Sequence, residues 1–214
     1  RKVKKKADDT QVFLSNEIPL IQEQAWNDFM TNDKLTHRLA PLAILFQFQT
    51  GVRIGELCAC CEEDIEDENY IHIQRMYRYG SRESEVIEHT KTSCGDRRIF
   101  LTDRAKKYIR LAQEYKAEHG IISKYIFSVN EKPLSNWSVA SRYKRYCDNI
   151  GIIRKTSHKT RKTYISALID GKVNINTVRE MVGHADERTT YNNYCFDRST
   201  ENEKKALIEN ALAS

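Results

Sequence analysis

The sequence predicts a mainly helical α+β domain carrying one small three-stranded antiparallel sheet, and three observations lead there. Apolar residues recur at helical spacing over most of the chain. Alternation of apolar and polar residues is confined to the stretch from Asn69 to Leu101. The repeated strand and helix order that builds a parallel sheet is absent. Eight Gly and three Pro in 214 residues exclude collagen-like and flexible-linker compositions. A chain of this length buries about 70% of its unfolded surface, so it needs no disulfide or metal staple.

Residues 1–14 lack helical periodicity and read as a linker. Ser15 or Asn16 is a candidate cap for a helix over Pro19 to Met30, with Pro tolerated in the first turn. Leu35, Leu39, Leu42 or Ala43, and Phe46 mark a second helix that ends at Thr50-Gly51, where glycine can take the left-handed cap. Arg53 opens a short helix through about Cys61. The three expected strands are Tyr70 to Arg75, Val86 to His89 and Arg97 to Leu101, with turns at Gly80-Ser81 and Cys94-Gly95-Asp96. Helical spacing returns with Ala105, Tyr108, Ile109, Ala112 and Tyr115 and stops at Gly120. Further helices are expected at about 135–149, 157–170 and 174–182, the last capped by Asn174 and ended by Gly183. Thr200 and Glu203 stand at capping-box spacing before a final helix to about Leu212.

The net charge of +5 is unevenly spread. Residues 1–6 carry five positive charges, and residues 141–162 carry eight basic side chains against Asp148 alone, which leaves −7 on the rest. A mildly acidic body with one basic segment suits a binder of phosphate backbones, although a solvated basic helix face has the same charge pattern. The longest apolar run, Leu42 to Phe48, is interrupted by Gln47 and is far short of the roughly 20 residues a membrane span needs. The basic N-terminus leads into Ala7-Asp8-Asp9-Thr10 rather than an apolar stretch, so no secretory signal is expected. The six cysteines then read as thiols in a reducing cytoplasm, and Cys58-Ala59-Cys60-Cys61 lacks the second pair that a zinc site requires. The absence of an initiator Met suggests a chain cut from a longer one.

Four segments cluster polar groups of kinds used on phosphates: Thr50-Gly51-Val52-Arg53-Ile54-Gly55-Glu56-Leu57; Thr90-Lys91-Thr92-Ser93; Ser157-His158-Lys159-Thr160-Arg161; and Gly183-His184 with Tyr194 ten residues on. Taken singly, each has a plain structural reading. Arg53 and Glu56 are spaced as an intrahelical ion pair. His158 with Arg161 is an ordinary surface helical pair, Lys91 a turn lysine, His184 a helix-end residue, and Tyr194 one of eleven tyrosines.

In order, however, Arg, hairpin Lys, H-x-x-R, G-H and Tyr resemble the catalytic domain of the tyrosine recombinase (phage integrase) family over residues 12–200. Phe13-Leu14 before the first helix and Arg98-Ile99-Phe100-Leu101 behind the Thr-Lys-Thr hairpin belong to the same likeness. The Thr189-Thr190-Tyr191-Asn192-Asn193-Tyr194 ending is similar to integrases of temperate phages and integrative or conjugative elements. Many members place the nucleophile nine residues after the G-H histidine, where this chain has Asn193; Tyr194 stands at ten and Tyr191 at seven. The interval of ten also occurs, so Tyr194 is assigned and Tyr191 is left to packing. Val182 replaces the usual Leu before Gly-His.

The resemblance implies a site-specific DNA recombinase that works through a 3′-phosphotyrosyl intermediate to integrate and excise a mobile element in a bacterial cytoplasm. Its catalytic residues would be Arg53, Lys91, His158, Arg161, His184 and Tyr194. It implies no cofactor and no metal, double-stranded DNA as partner, a synaptic tetramer on DNA and a monomer for the isolated domain, and no membrane. Arg142, Lys144, Arg145, Arg154, Lys155, Lys159 and Lys162 are the expected DNA-backbone contacts. The expected division is 1–14 as basic linker, 15–198 as catalytic domain and 199–214 as a tail helix that docks in cis or in trans. A relaxing topoisomerase with the same chemistry and a non-catalytic DNA-binding fragment remain alternatives.

Overall fold

A computed structural model of the chain describes residues 8–31, 38–78, 85–90, 93–183 and 196–212. The fold is built around α2 (Leu39–Thr50), whose residues from Leu39 to Phe48 are all buried. A helix apolar on every side can only be a core helix, and α2 packs against α1 (Glu17–Thr31), α4 (Asp103–Glu118), α5 (Asn136–Asn149) and α6 (Ser157–Asp170). Each fully buried Leu, Ile or Phe on such a helix contributes about 1.5 to 3 kcal/mol. The expected helices are present, within about two residues at their described ends, while Leu35, expected in the second helix, lies outside the described residues. α1 starts at Glu17, whose carboxylate accepts from the Leu14 amide at 2.8 Å. α3 (Ile54–Ala59) is shorter than expected, and α7 (Ile175–Val182) has its Asn174 and Gly183 caps. The tail helix α8 (Glu201–Leu212) has the expected capping box: Thr200 N donates to Glu203, and Glu203 N donates to Thr200 Oγ1 at 3.3 Å.

The sheet differs in membership from the one expected. A three-stranded antiparallel sheet is present, but its order is β1 (Ile65–Glu66), β2 (Tyr70–Ile73), β5 (Arg97–Phe100). β3 (Met76–Arg78) pairs instead with β4 (Glu85–Ile87), so the expected middle strand belongs to a separate two-stranded ribbon. A second ribbon, β6 (Ser128–Val129) with β7 (Lys132–Pro133), precedes α5. The physical reason is that alternation marks a strand without naming its partner, and two- or three-residue strands are too short to show a period. The packed body also starts earlier than expected. Val12 and Phe13 are fully buried, and the Phe13 amide donates to Thr163 Oγ1 at 2.8 Å on α6, so residues 11–14 are part of the fold rather than a linker.

Among the described residues no helix is long and apolar enough to cross a membrane, and no group of three potential metal ligands occurs. Cys58, Cys60 and Cys61 are buried free thiols, and burial raises the pKa of each.

Candidate active site

Two tight junctions bring the predicted site residues together. At the first, α2 ends on Gly51 with φ +62°, and a Cβ there would lie 2.2 Å from the Tyr164 ring of α6, so only glycine fits. The chain can therefore turn at once into α3, with Arg53 in the N-cap position. Arg53 is held by Glu56, whose carboxylate accepts from the Arg53 amide at 2.8 Å and from its guanidinium at 2.7 Å. The intrahelical pair read from the sequence is thus present.

The second arginine approaches the same turn from α6. Arg161 is 1% exposed, and its guanidinium donates to the Gly51 carbonyl at 2.8 Å and to the Val182 carbonyl at the end of α7. Two of its donors thus tie the Arg53 turn to the residue before Gly183. His158, one turn before Arg161, lies at the surface of α6. Its pKa is lowered from the ordinary 6.5 by partial desolvation and by Lys162, Arg161, Lys159 and Arg53. The shift favours the neutral imidazole.

Gly183 is the other junction. Its φ of +65° caps α7, and a Cβ would meet the Cys94 carbonyl at 2.3 Å. Ser93–Gly95 form a short 3₁₀ turn before β5 and not the expected hairpin, because β4 pairs with β3 and not with β5; this turn and the end of α7 are in backbone contact through Gly183. Lys91, His184, Tyr191 and Tyr194 themselves lie outside the described residues.

Three supports were missed from the sequence. Gln47, fully buried within the apolar face of α2, donates to the Val52 carbonyl at 2.7 Å and to Ser157 Oγ at 2.6 Å, so it joins the Arg53 turn to the start of α6. Tyr143 donates to Gln47 Oε1 at 2.9 Å and accepts from Thr160 at 2.8 Å. The third support is Arg97, buried against Glu56. Gln47 had a visible signal, since it interrupts the Leu42 to Phe48 run, while Arg97 reads only as one more strand residue.

The basic segment is sorted by burial. Lys144 is exposed, Arg145 and Arg154 are half-exposed or more, and Lys159 and Lys162 both donate to Gln11 Oε1 near the surface. Arg142 and Lys155 depart from the surface-contact expectation. Arg142 is buried and paired with Asp28 at 3.1 Å, and the Lys155 ammonium is fully buried in a pair with Glu17. Charge counting along a sequence cannot distinguish a buried ion pair from a surface cation.

The fold is thus mainly helical, with Arg161 bonded to the turn that carries Arg53 and with the Ser93–Gly95 turn packed on Gly183. The chain belongs to the phage integrase family, whose family model matches residues 11–201. It is 26% identical over 207 residues to the integrase of Staphylococcus phage L54a, covering 85% of this chain and 57% of that protein. It is 29% identical over 181 residues to a XerC-like tyrosine recombinase of Caldanaerobacter subterraneus, covering 74% of this chain and 45% of that protein. The chain thus spans about half the length of the curated relatives it matches. In fold it is similar to the Tn1549 transposon integrase solved in complex with transposon right end DNA, with a TM-score of 0.72 at 19% identity, covering 100% of this chain and 69% of that one.

Proposed function

We propose that the chain is the catalytic part of a site-specific DNA recombinase that cuts and rejoins strands of a mobile element through a 3′-phosphotyrosyl ester. The observation that carries this reading is the Arg161 guanidinium on the Gly51 carbonyl at 2.8 Å, two residues before Arg53, in a chain of the phage integrase family. The integrase solved with transposon DNA supports duplex DNA as the partner.

In this reading the Tyr194 oxygen attacks the scissile phosphorus. A phenol of ordinary pKa about 10 is protonated at neutral pH, so its proton passes to neutral His158. Arg53 and Arg161 stabilise the charge that grows on the non-bridging oxygens, and His184 donates a further hydrogen bond. As the bond from phosphorus to the tyrosyl oxygen forms, the bond to the 5′ oxygen breaks, and Lys91 protonates that oxygen. Attack by the 5′ hydroxyl of a partner strand reverses these steps and releases the tyrosine. The tyrosyl ester stores the energy of the broken phosphodiester bond, so neither nucleotide nor reductant enters the balance. The two guanidinium groups supply the positive charge that a metal ion supplies elsewhere. Lys144, Arg145, Arg154, Lys159 and Lys162 are the proposed backbone contacts.

The test uses the full-length protein and nicked duplexes carrying the end sequences of its element. The expected result is a covalent protein–DNA adduct in which the protein is joined to a 3′ phosphate. Lys91→Ala should cleave a substrate with sulfur at the 5′ bridging position far better than ordinary DNA, because a thiolate leaves without a proton. An adduct at the 5′ phosphate, or none, refutes the reading. Supercoil relaxation without recombinant products would redirect it to a topoisomerase.

A further inference from the structure

Arg97 makes more bonds than a charge partner of Glu56 requires. Its side chain is 4% exposed, and its guanidinium donates at 2.8 and 3.2 Å to the two Glu56 oxygens. The same group donates at 2.7 Å to the Gly95 carbonyl and, through Nε, at 2.8 Å to the Met181 carbonyl. These acceptors lie on three separate segments. Glu56 is three residues after Arg53, Gly95 four after Lys91, and Met181 three before His184. At the same place Gly183 abuts the Cys94 carbonyl so closely that a Cβ there would also lie 3.1 Å from Arg97 Cδ. Arg97 itself is anchored in β5, opposite Ile73 of β2.

We propose that Arg97 is a positioning residue for the strand-transfer reaction, fixing the Ser93–Gly95 turn that follows Lys91 in sequence against α3 and the end of α7; this rests on the recombinase reading above. A guanidinium is planar and offers five donors in a fixed fork, so one side chain sets the mutual distances of all three segments. An ammonium can neutralise Glu56 but cannot reach carbonyls on opposite sides in the same plane. The fork therefore does what the charge alone does not. Its direct bond to this turn is at Gly95, four residues after Lys91, so the candidate leaving-group acid is the group most exposed to its loss.

The experiment compares wild type with Arg97→Lys in single-turnover adduct formation by the full-length protein, on nicked duplexes with oxygen or sulfur at the 5′ bridging position. Rate constants are read separately from amplitudes, because an unfolded fraction lowers the amplitude and leaves the rate constant of the folded fraction intact. Arg97→Lys should slow the oxygen substrate about 100-fold, the scale of an ångström-sized misplacement of a catalytic group, and the sulfur substrate less than about tenfold. DNA affinity should stay within about threefold of wild type, since no phosphate contact is removed. An oxygen-substrate rate constant near that of wild type overturns the proposal, and so does equal slowing on both substrates, which would make Arg97 a general structural pair. If wild type forms no adduct with either substrate, the recombinase reading fails and this proposal falls with it.

Discussion

Glu56 accepts a hydrogen bond from Arg97 at 2.8 Å while both side chains are 4% exposed, and the same carboxylate holds Arg53 at 2.7 Å. Burial pushes the Glu56 carboxyl up, but Arg97 acting by charge and hydrogen bond, with Arg53 and Arg161, outweighs it and holds the pKa at about 2 against an ordinary 4.5. A group depressed in the fold binds protons more readily when unfolded, so it stabilises the protein above 4.5 and loses that effect as the pH falls toward 2.

Glu56→Gln should therefore be less stable than wild type at pH 7 by roughly 3 kcal/mol. The gap should close as the pH falls from 4.5 toward 2, where wild type also carries a protonated Glu56. Denaturant unfolding of both proteins over that range checks the sign and the window. A pH-independent gap would assign the loss to packing instead.

Tyr194→Phe should abolish the covalent adduct while leaving DNA affinity within about twofold, since only one hydroxyl is removed. Tyr191→Phe should retain the adduct. Gel separation of denatured protein–DNA species after incubation with nicked duplex decides between them, and the reverse pattern would move the nucleophile to Tyr191.

How far the sequence was legible follows from the kind of signal each residue leaves. Helices with one apolar stripe, such as Ala105 to Tyr115 in α4, announce themselves by period, and Gly51 and Gly183 mark their helix ends because a left-handed cap demands glycine. The motif residues Arg53, His158 and Arg161 were singled out through order and company, and Arg161 bonds the Gly51 carbonyl two residues before Arg53. What holds them there was not legible. Gln47, Tyr143 and Arg97 act across 96, 110 or 84 positions of sequence, and nothing local in a buried amide, phenol or guanidinium names a partner so far away. The pairing of β3 with β4 rather than β4 with the main sheet was hidden for another reason, since three-residue strands show no period and name no partner.

Lys144 and Lys155 separate two roles that the charge count merges. Lys155→Glu would confront the buried Glu17 carboxylate with another beneath the Phe13 ring, and should cost about 3 to 5 kcal/mol. Lys144→Glu, on the exposed face of α5, should leave stability within about 0.5 kcal/mol of wild type. It should weaken binding to all DNA sequences alike and reduce the salt-dependence slope by about one. Thermal melting and salt titrations of binding check both, and sequence-selective loss in Lys144→Glu would mean that Lys144 reads bases.

The tail helix α8 meets the rest of the domain through polar bonds. Ser15 Oγ donates to Glu203 at 2.6 Å, the Ser15 amide to the Arg198 carbonyl at 2.8 Å, and Arg198 pairs with Asp170 at 2.9 Å. Its apolar side chains Leu207 and Ile208 are 61% and 59% exposed, so they are not covered by this chain. Exposed pairs of this kind contribute about 0 to 1 kcal/mol each, and exposed leucine contributes no burial. Deleting residues 199–214 should therefore change stability by no more than about 1 to 2 kcal/mol. If the helix docks in trans on a second copy of the chain on DNA, the second of the two expectations for the tail, the deletion should abolish cooperative assembly on duplexes with two sites while single-site affinity persists. Native gels at graded protein concentration distinguish these outcomes. Large destabilisation with cooperativity intact would show that α8 belongs to its own domain alone.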